Sequence, residues 1–142
     1  MKVEWQIQDC LSSQPQPKQR DMRTIHALIL SLYPTCTLWF SDGLNSDKKP
    51  IANPTIGYGR HTMRYANGST KDVFQIGMSA NKTGISLHIL GSKDKTYLLE
   101  NFGSTLGKAS ITGYCIRFTS LRDIHLPTLS ALIEYGLTPK DE

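Results

Sequence analysis

The dipeptide Asn67-Gly68 lies between "IGYGRHTMRYA" and "TKDVFQIGM", two runs rich in strand-forming residues. Asn and Gly accept the positive backbone dihedrals of a type I′ turn, so the stretch predicts strands at 55–66 and 70–78 paired antiparallel. No other short signal in the chain restricts the topology as much. A second glycine-containing turn at 81–84 leads into "ISLHIL", which adds a third strand to a meander. "TLWFS" at 37–41 and "GYCIRF" at 113–118 read as further strands. The segment "DGLNSDKKPIANP" that follows the first of these has the composition of a loop.

Helical periodicity flanks these strands. Val3, Ile7, Cys10 and Leu11 recur at helical spacing ahead of the breaker "SSQPQP", and Met22, Ile25, Ile29 and Leu32 form one stripe of a longer helix that Pro34 ends. Asp94 reads as the N-cap of a short helix closed near Gly103. Pro127 falls in the first turn of a last helix carrying Leu129, Leu132 and Ile133 and stopped near Gly136. The order predicts an α+β fold in two layers: an antiparallel meander of about five strands with helices packed on one face. The expected organisation is a short helix and linker at 1–17, a single domain at 18–137 and a tail at 138–142.

Strand alternation assigns the side chains to faces. Leu38, Phe40, Ile56, Tyr58, Phe74, Ile76, Met78, Ile85, Leu87, Ile89, Tyr114, Ile116 and Phe118 are expected beneath the helices. In an unbroken register the opposite face carries Trp39, Gly57, Gly59, Gln75, Gly77, His88 and Arg117. Three glycines there let a ligand approach the backbone, Trp39 offers a stacking surface and Arg117 a cationic fork. The residues expected to bind a ligand are therefore Trp39, Gly57, Gly59, Gln75, His88 and Arg117. The ligand would be a small anionic or planar molecule, and the bland alternative is that the glycines only permit sheet twist.

Composition narrows the classes of function. The chain has 142 residues, 39% hydrophobic and 20% charged, enough for one core without metal or disulfide staples. Sixteen Lys and Arg against 12 Asp and Glu give a net charge of +4, but the lysines are dispersed in sequence, which disfavours nucleic acid as a partner. Cys10, Cys36 and Cys115 show no C-x-x-C spacing and indicate neither a disulfide framework nor a thiolate zinc site. No apolar run is long enough to span a membrane, and the N-terminus lacks a signal core, so a cytoplasmic location without a membrane partner is expected.

The stretch "ENFGSTLGKASITGY" tempts a phosphate-loop reading, which fails on spacing. Gly103 and Gly107 enclose three residues rather than four, and Lys108 precedes Ala109 rather than a hydroxyl. Lys108 remains a candidate anion contact on a plain connection. Ser79-x-x-Lys82 and Ser92-x-x-Lys95 match an acyl-enzyme spacing, but a single Lys82 cannot serve both that motif and Lys82-Thr83-Gly84. His26, His61, His88 and His125 show no metal-ligand pairing, so no metal, cofactor or catalytic residue is assigned. The reading leans away from an enzyme.

"LWFSDG", "NPTIGYG", "QIGMSANKTGISLHILG" and "LGKASITGYCIRFTSLRDI" together resemble the YdhG-like domain family over roughly residues 18–137. The resemblance implies a small two-layer α+β fold. Some members carry an iron-chaperone label of frataxin-like kind, which implies clustered carboxylates, whereas the acids of this chain are scattered. The leading expectation is a non-enzymatic module that binds a small ligand or a protein partner, a second copy in a homodimer included. Iron handling and weak nucleic-acid or other polyanion binding are the alternatives.

Overall fold

The computed structural model describes residues 2–92 and 94–138; Lys93 and the expected tail beyond Thr138 lie outside the described residues. The fold is α+β, with helices α1 (Val3–Ser12), α2 (Lys18–Leu32), α3 (Tyr97–Phe102) and α4 (Leu126–Leu137). Its strands are β1 (Leu38–Ser41), β2 (Thr55–Tyr58), β3 (His61–Arg64), β4 (Thr70–Val73), β5 (Ile76–Asn81), β6 (Gly84–Ile89), β7 (Ser110–Thr112) and β8 (Cys115–Phe118). Six of them form one antiparallel sheet in the order β1-β2-β5-β6-β8-β7, and β3 pairs with β4 as a separate ribbon. The expected count of about five is exceeded because the connection ahead of the last expected strand contributes β7, a three-residue edge strand.

The long hairpin forms around Asn67-Gly68, with two differences from expectation. Only Gly68 has a positive φ, and Gly68 N–H donates to the Tyr65 carbonyl, so the loop is a type I turn followed by a left-handed glycine rather than a type I′ turn. The Asn67 side chain secures it by accepting from the Ser69 N–H and hydroxyl. The hairpin is also broken in the middle. Gly59, at φ +81, separates β2 from β3 opposite the Phe74-Gln75 pair, although both halves keep one pairing frame.

That break reverses the faces locally. Phe74 was expected beneath the helices, but its ring occupies the space over Gly57 and Gly77 on the other side of the sheet. Gln75 was expected on the open face and is instead buried towards α4: its Nε2 donates to the Leu137 carbonyl at 2.9 Å and its Oε1 accepts from Arg60 N–H at 3.0 Å. Tyr114 is also displaced, lying exposed in the turn before β8.

Elsewhere alternation sorts the side chains as expected. Ile56, Tyr58, Ile76, Met78, Ile85, Leu87, Ile89, Ile116 and Phe118 join Met22, Ile25 and Ile29 of α2 and Leu129, Leu132 and Ile133 of α4 in one buried cluster. Ile7 and Leu11 of α1 enter the same cluster, so the short N-terminal helix is part of the core. Burying a side chain of this size contributes about 1.5–3 kcal/mol, and the helices gather on the one face where all of them can do so. Asp21 fastens the far end of the chain to α2, accepting from the Leu121 N–H at 3.0 Å.

Candidate functional site

The open face is ordered by the register. One row across the sheet reads Ser41, Thr55, Ser79, Ser86, Arg117 and Ser110, each residue the cross-strand partner of the next. Five hydroxyls and one guanidinium thus lie side by side on all six strands. The adjoining row, Trp39, Gly57, Gly77, His88, Cys115 and Thr112, shares that face.

A groove of about 550 Å3 lies over the middle of these rows. Thr55, Ser79, Asn81, Ser86, His88 and Arg117 line it from the strands, and Lys82 from the β5–β6 turn. Ser79 and Ser86 are each 5% exposed and form its floor. The turn is held by Asn81, whose Oδ1 accepts from the Thr83 N–H at 2.9 Å while its Nδ2 donates to Ser86 Oγ at 2.7 Å. The Ser79 hydroxyl has no hydrogen-bond partner among the described residues, so it is free to meet a ligand. Ser79 and Lys82 share the groove without a hydrogen bond between them, which leaves the Ser-x-x-Lys spacing with no activated hydroxyl.

The electrostatics favour an anion. Arg117 and Lys82 line the groove, and among the described residues no carboxylate does. Burial, and then the Arg117 guanidinium, hold the His88 imidazole below the ordinary histidine value. The neutral ring keeps one nitrogen as donor and one as acceptor.

The other expected site residues divide into separate places. Gly57 faces the open side, but Phe74 fills the space above it and above Gly77, so these glycines are no ligand floor. Gly59 meets Gln75 and Leu137 on the helical side, and with Gln75 it belongs to the packing of α4. Trp39 shares a face with Arg117, yet four strand spacings separate them, about 19 Å at the usual inter-strand distance. Its indole N–H donates to the Gly59 carbonyl at 2.6 Å. His88 and Arg117 are the two expected residues that the fold brings together in the groove.

Lys108 lies apart from the groove. It is exposed on the connection from α3 to β7, and its backbone N–H donates to the Asp123 carbonyl at 3.0 Å, so that amide is not open to an anion. Thr55, Ser79, Ser86 and Asn81 escaped the sequence reading. Their signal was present, since Thr55, Ser79 and Ser86 stand two residues from Gly57, Gly77 and His88 and so share their face.

Among the described residues, no group of three or more His, Cys, Asp or Glu is placed to hold a metal ion, and no helix is long and apolar enough to cross a membrane. Fold and site together define a two-layer α+β domain with a polar, cation-edged groove on its uncovered sheet face. Comparison with known proteins finds no family model, curated protein or solved structure that matches the chain.

Proposed function

We propose that the chain is a cytoplasmic, non-enzymatic module of YdhG-like kind that binds a small anionic ligand in the groove on its open sheet face. The observation that carries this reading is the row Thr55, Ser79, Ser86 and Arg117, hydroxyl donors ending in a guanidinium with no carboxylate among the described lining residues. Hydroxyls and a guanidinium are hydrogen-bond donors of complementary reach, and a charged acceptor strengthens each bond. The ordered turn at Asn81 fixes one wall in advance, which lowers the entropy cost of binding. The Ser86 hydroxyl is bonded to an amide rather than to a base, which supports binding over nucleophilic chemistry.

Calorimetric titration of inorganic pyrophosphate into the wild-type chain and the Arg117→Ala variant tests the reading. The expected outcome is saturable binding weakened about tenfold or more by the substitution, the effect of losing one charge-assisted hydrogen bond. Equal affinity of the two chains would overturn it.

A further inference from the structure

A second cleft, of about 430 Å3, adjoins the groove on the other side of the β5–β6 turn. Three segments distant in sequence each bring a cation to it: Lys18 and Arg20 from the first turn of α2, Lys82 from the β5–β6 turn, and Arg122 from the link after β8. Among the described residues no carboxylate lines this cleft either. Asp21 is the sequence neighbour of Arg20, but it is 7% exposed and its carboxylate is turned inward to the Leu121 N–H. Lys18 Nζ donates to the Asn81 carbonyl at 2.6 Å, so it also ties the turn to α2. Arg20, Lys82 and Arg122 are exposed, and among the described residues their side chains make no hydrogen bond or ion pair.

Like charges brought together without a counter-charge repel, and such a field concentrates anions. The side chains supply this field, since three amides at the start of α2 are already engaged: Gln19 N–H with Pro15, Arg20 N–H with Gln16 and Asp21 N–H with Pro17. Lys82 and Thr83 line both clefts, so the two form one track around the turn. Arg117 stands at one end, Lys82 in the middle, and Arg20 with Arg122 at the other.

We propose that this track takes a small ligand bearing several phosphate groups, with one phosphate in the groove beside Arg117 and another in the cleft between Arg20 and Arg122. The inference rests on the groove reading above and names the class of its ligand. A single phosphate group engages one cleft, whereas a ligand with separated phosphates engages both and gains from the second contact without a second loss of translational freedom.

The test uses inositol hexakisphosphate as the multiply phosphorylated probe, pyrophosphate as the short one and a single-stranded RNA oligonucleotide as the competing class, all titrated into the full chain. The hexakisphosphate is expected to bind at least about tenfold tighter than pyrophosphate. The double variant Arg20→Ala/Arg122→Ala should lose that advantage while binding pyrophosphate as the wild type does, which also shows that it is folded. Arg117→Ala should weaken both small probes.

If the double variant keeps the full hexakisphosphate affinity while Arg117→Ala loses it, the bridging inference is wrong and the groove reading stands. If only the double variant matters, both the groove reading and the bridge are wrong. If the RNA binds more tightly than the hexakisphosphate, the occupant is a nucleic acid and the proposal is overturned.

Discussion

Phe74 lies on Gly77. A Cβ added to Gly77 would fall 2.5 Å from the Phe74 ring, so the absence of a side chain at one residue is the seat of the other. The same ring covers Gly57, and this contact divides the open face into an aromatic half, with Trp39 beside it, and the hydroxyl-lined groove.

Gly77→Ala is expected to destabilise the chain by about 1–3 kcal/mol, as overpacking does. In a Phe74→Ala background the same substitution should cost about 1 kcal/mol less, because the methyl then has room. Urea unfolding of the four chains of this cycle measures the coupling. Additive costs would show that Phe74 does not rest on Gly77.

The hairpin at Asn67-Gly68 and the helical stripes are legible in the sequence because turn chemistry and periodicity are local. The inversion at Phe74 and Gln75 is not. It depends on Gly59 taking a positive φ at the point where the ribbon leaves the sheet, and strict alternation has no means of seeing that twist. The same limit explains the site. His88 and Arg117 were found by alternation, and Thr55, Ser79 and Ser86 obey the same rule but attract no notice as single hydroxyls. They matter as a row, and a row exists only once strand order is known. The basic cleft is likewise invisible to a linear count of lysines, because Arg20, Lys82 and Arg122 meet only in the fold.

Gln75→Leu keeps the volume but leaves the Leu137 carbonyl and the Arg60 N–H without their partner. The expected cost is about 1–3 kcal/mol, chiefly from the Leu137 carbonyl left unpaired near the core, since Arg60 is exposed. Thermal unfolding should show a clearly lower Tm. An unchanged Tm would mean that Gln75 does not hold α4 to the sheet.

Burial lowers the affinity of His88 for a proton, and Arg117 lowers it further; burial and then Arg23 do the same to His26. Below about pH 6.5, the ordinary histidine value, the unfolded chain therefore binds more protons than the folded one. The stability these two neutral rings contribute is fully present above that pH and is lost as pH falls through their folded values. His88→Gln should flatten the decline in stability on the acid side. Arg117→Ala should raise the midpoint of the His88 imidazole in an NMR titration, and pyrophosphate should raise it as well. A midpoint that stays put in the Arg117 variant would contradict this account of the groove's charge.

The most direct test is a map of backbone amide shifts as pyrophosphate is added to the 142-residue chain. The account predicts that the largest changes fall on Thr55, Ser79, Ser86, His88 and Arg117, the residues that line the groove across four adjacent strands. Changes centred instead on 103–108, around Lys108, or an absence of change at saturating pyrophosphate, would contradict it.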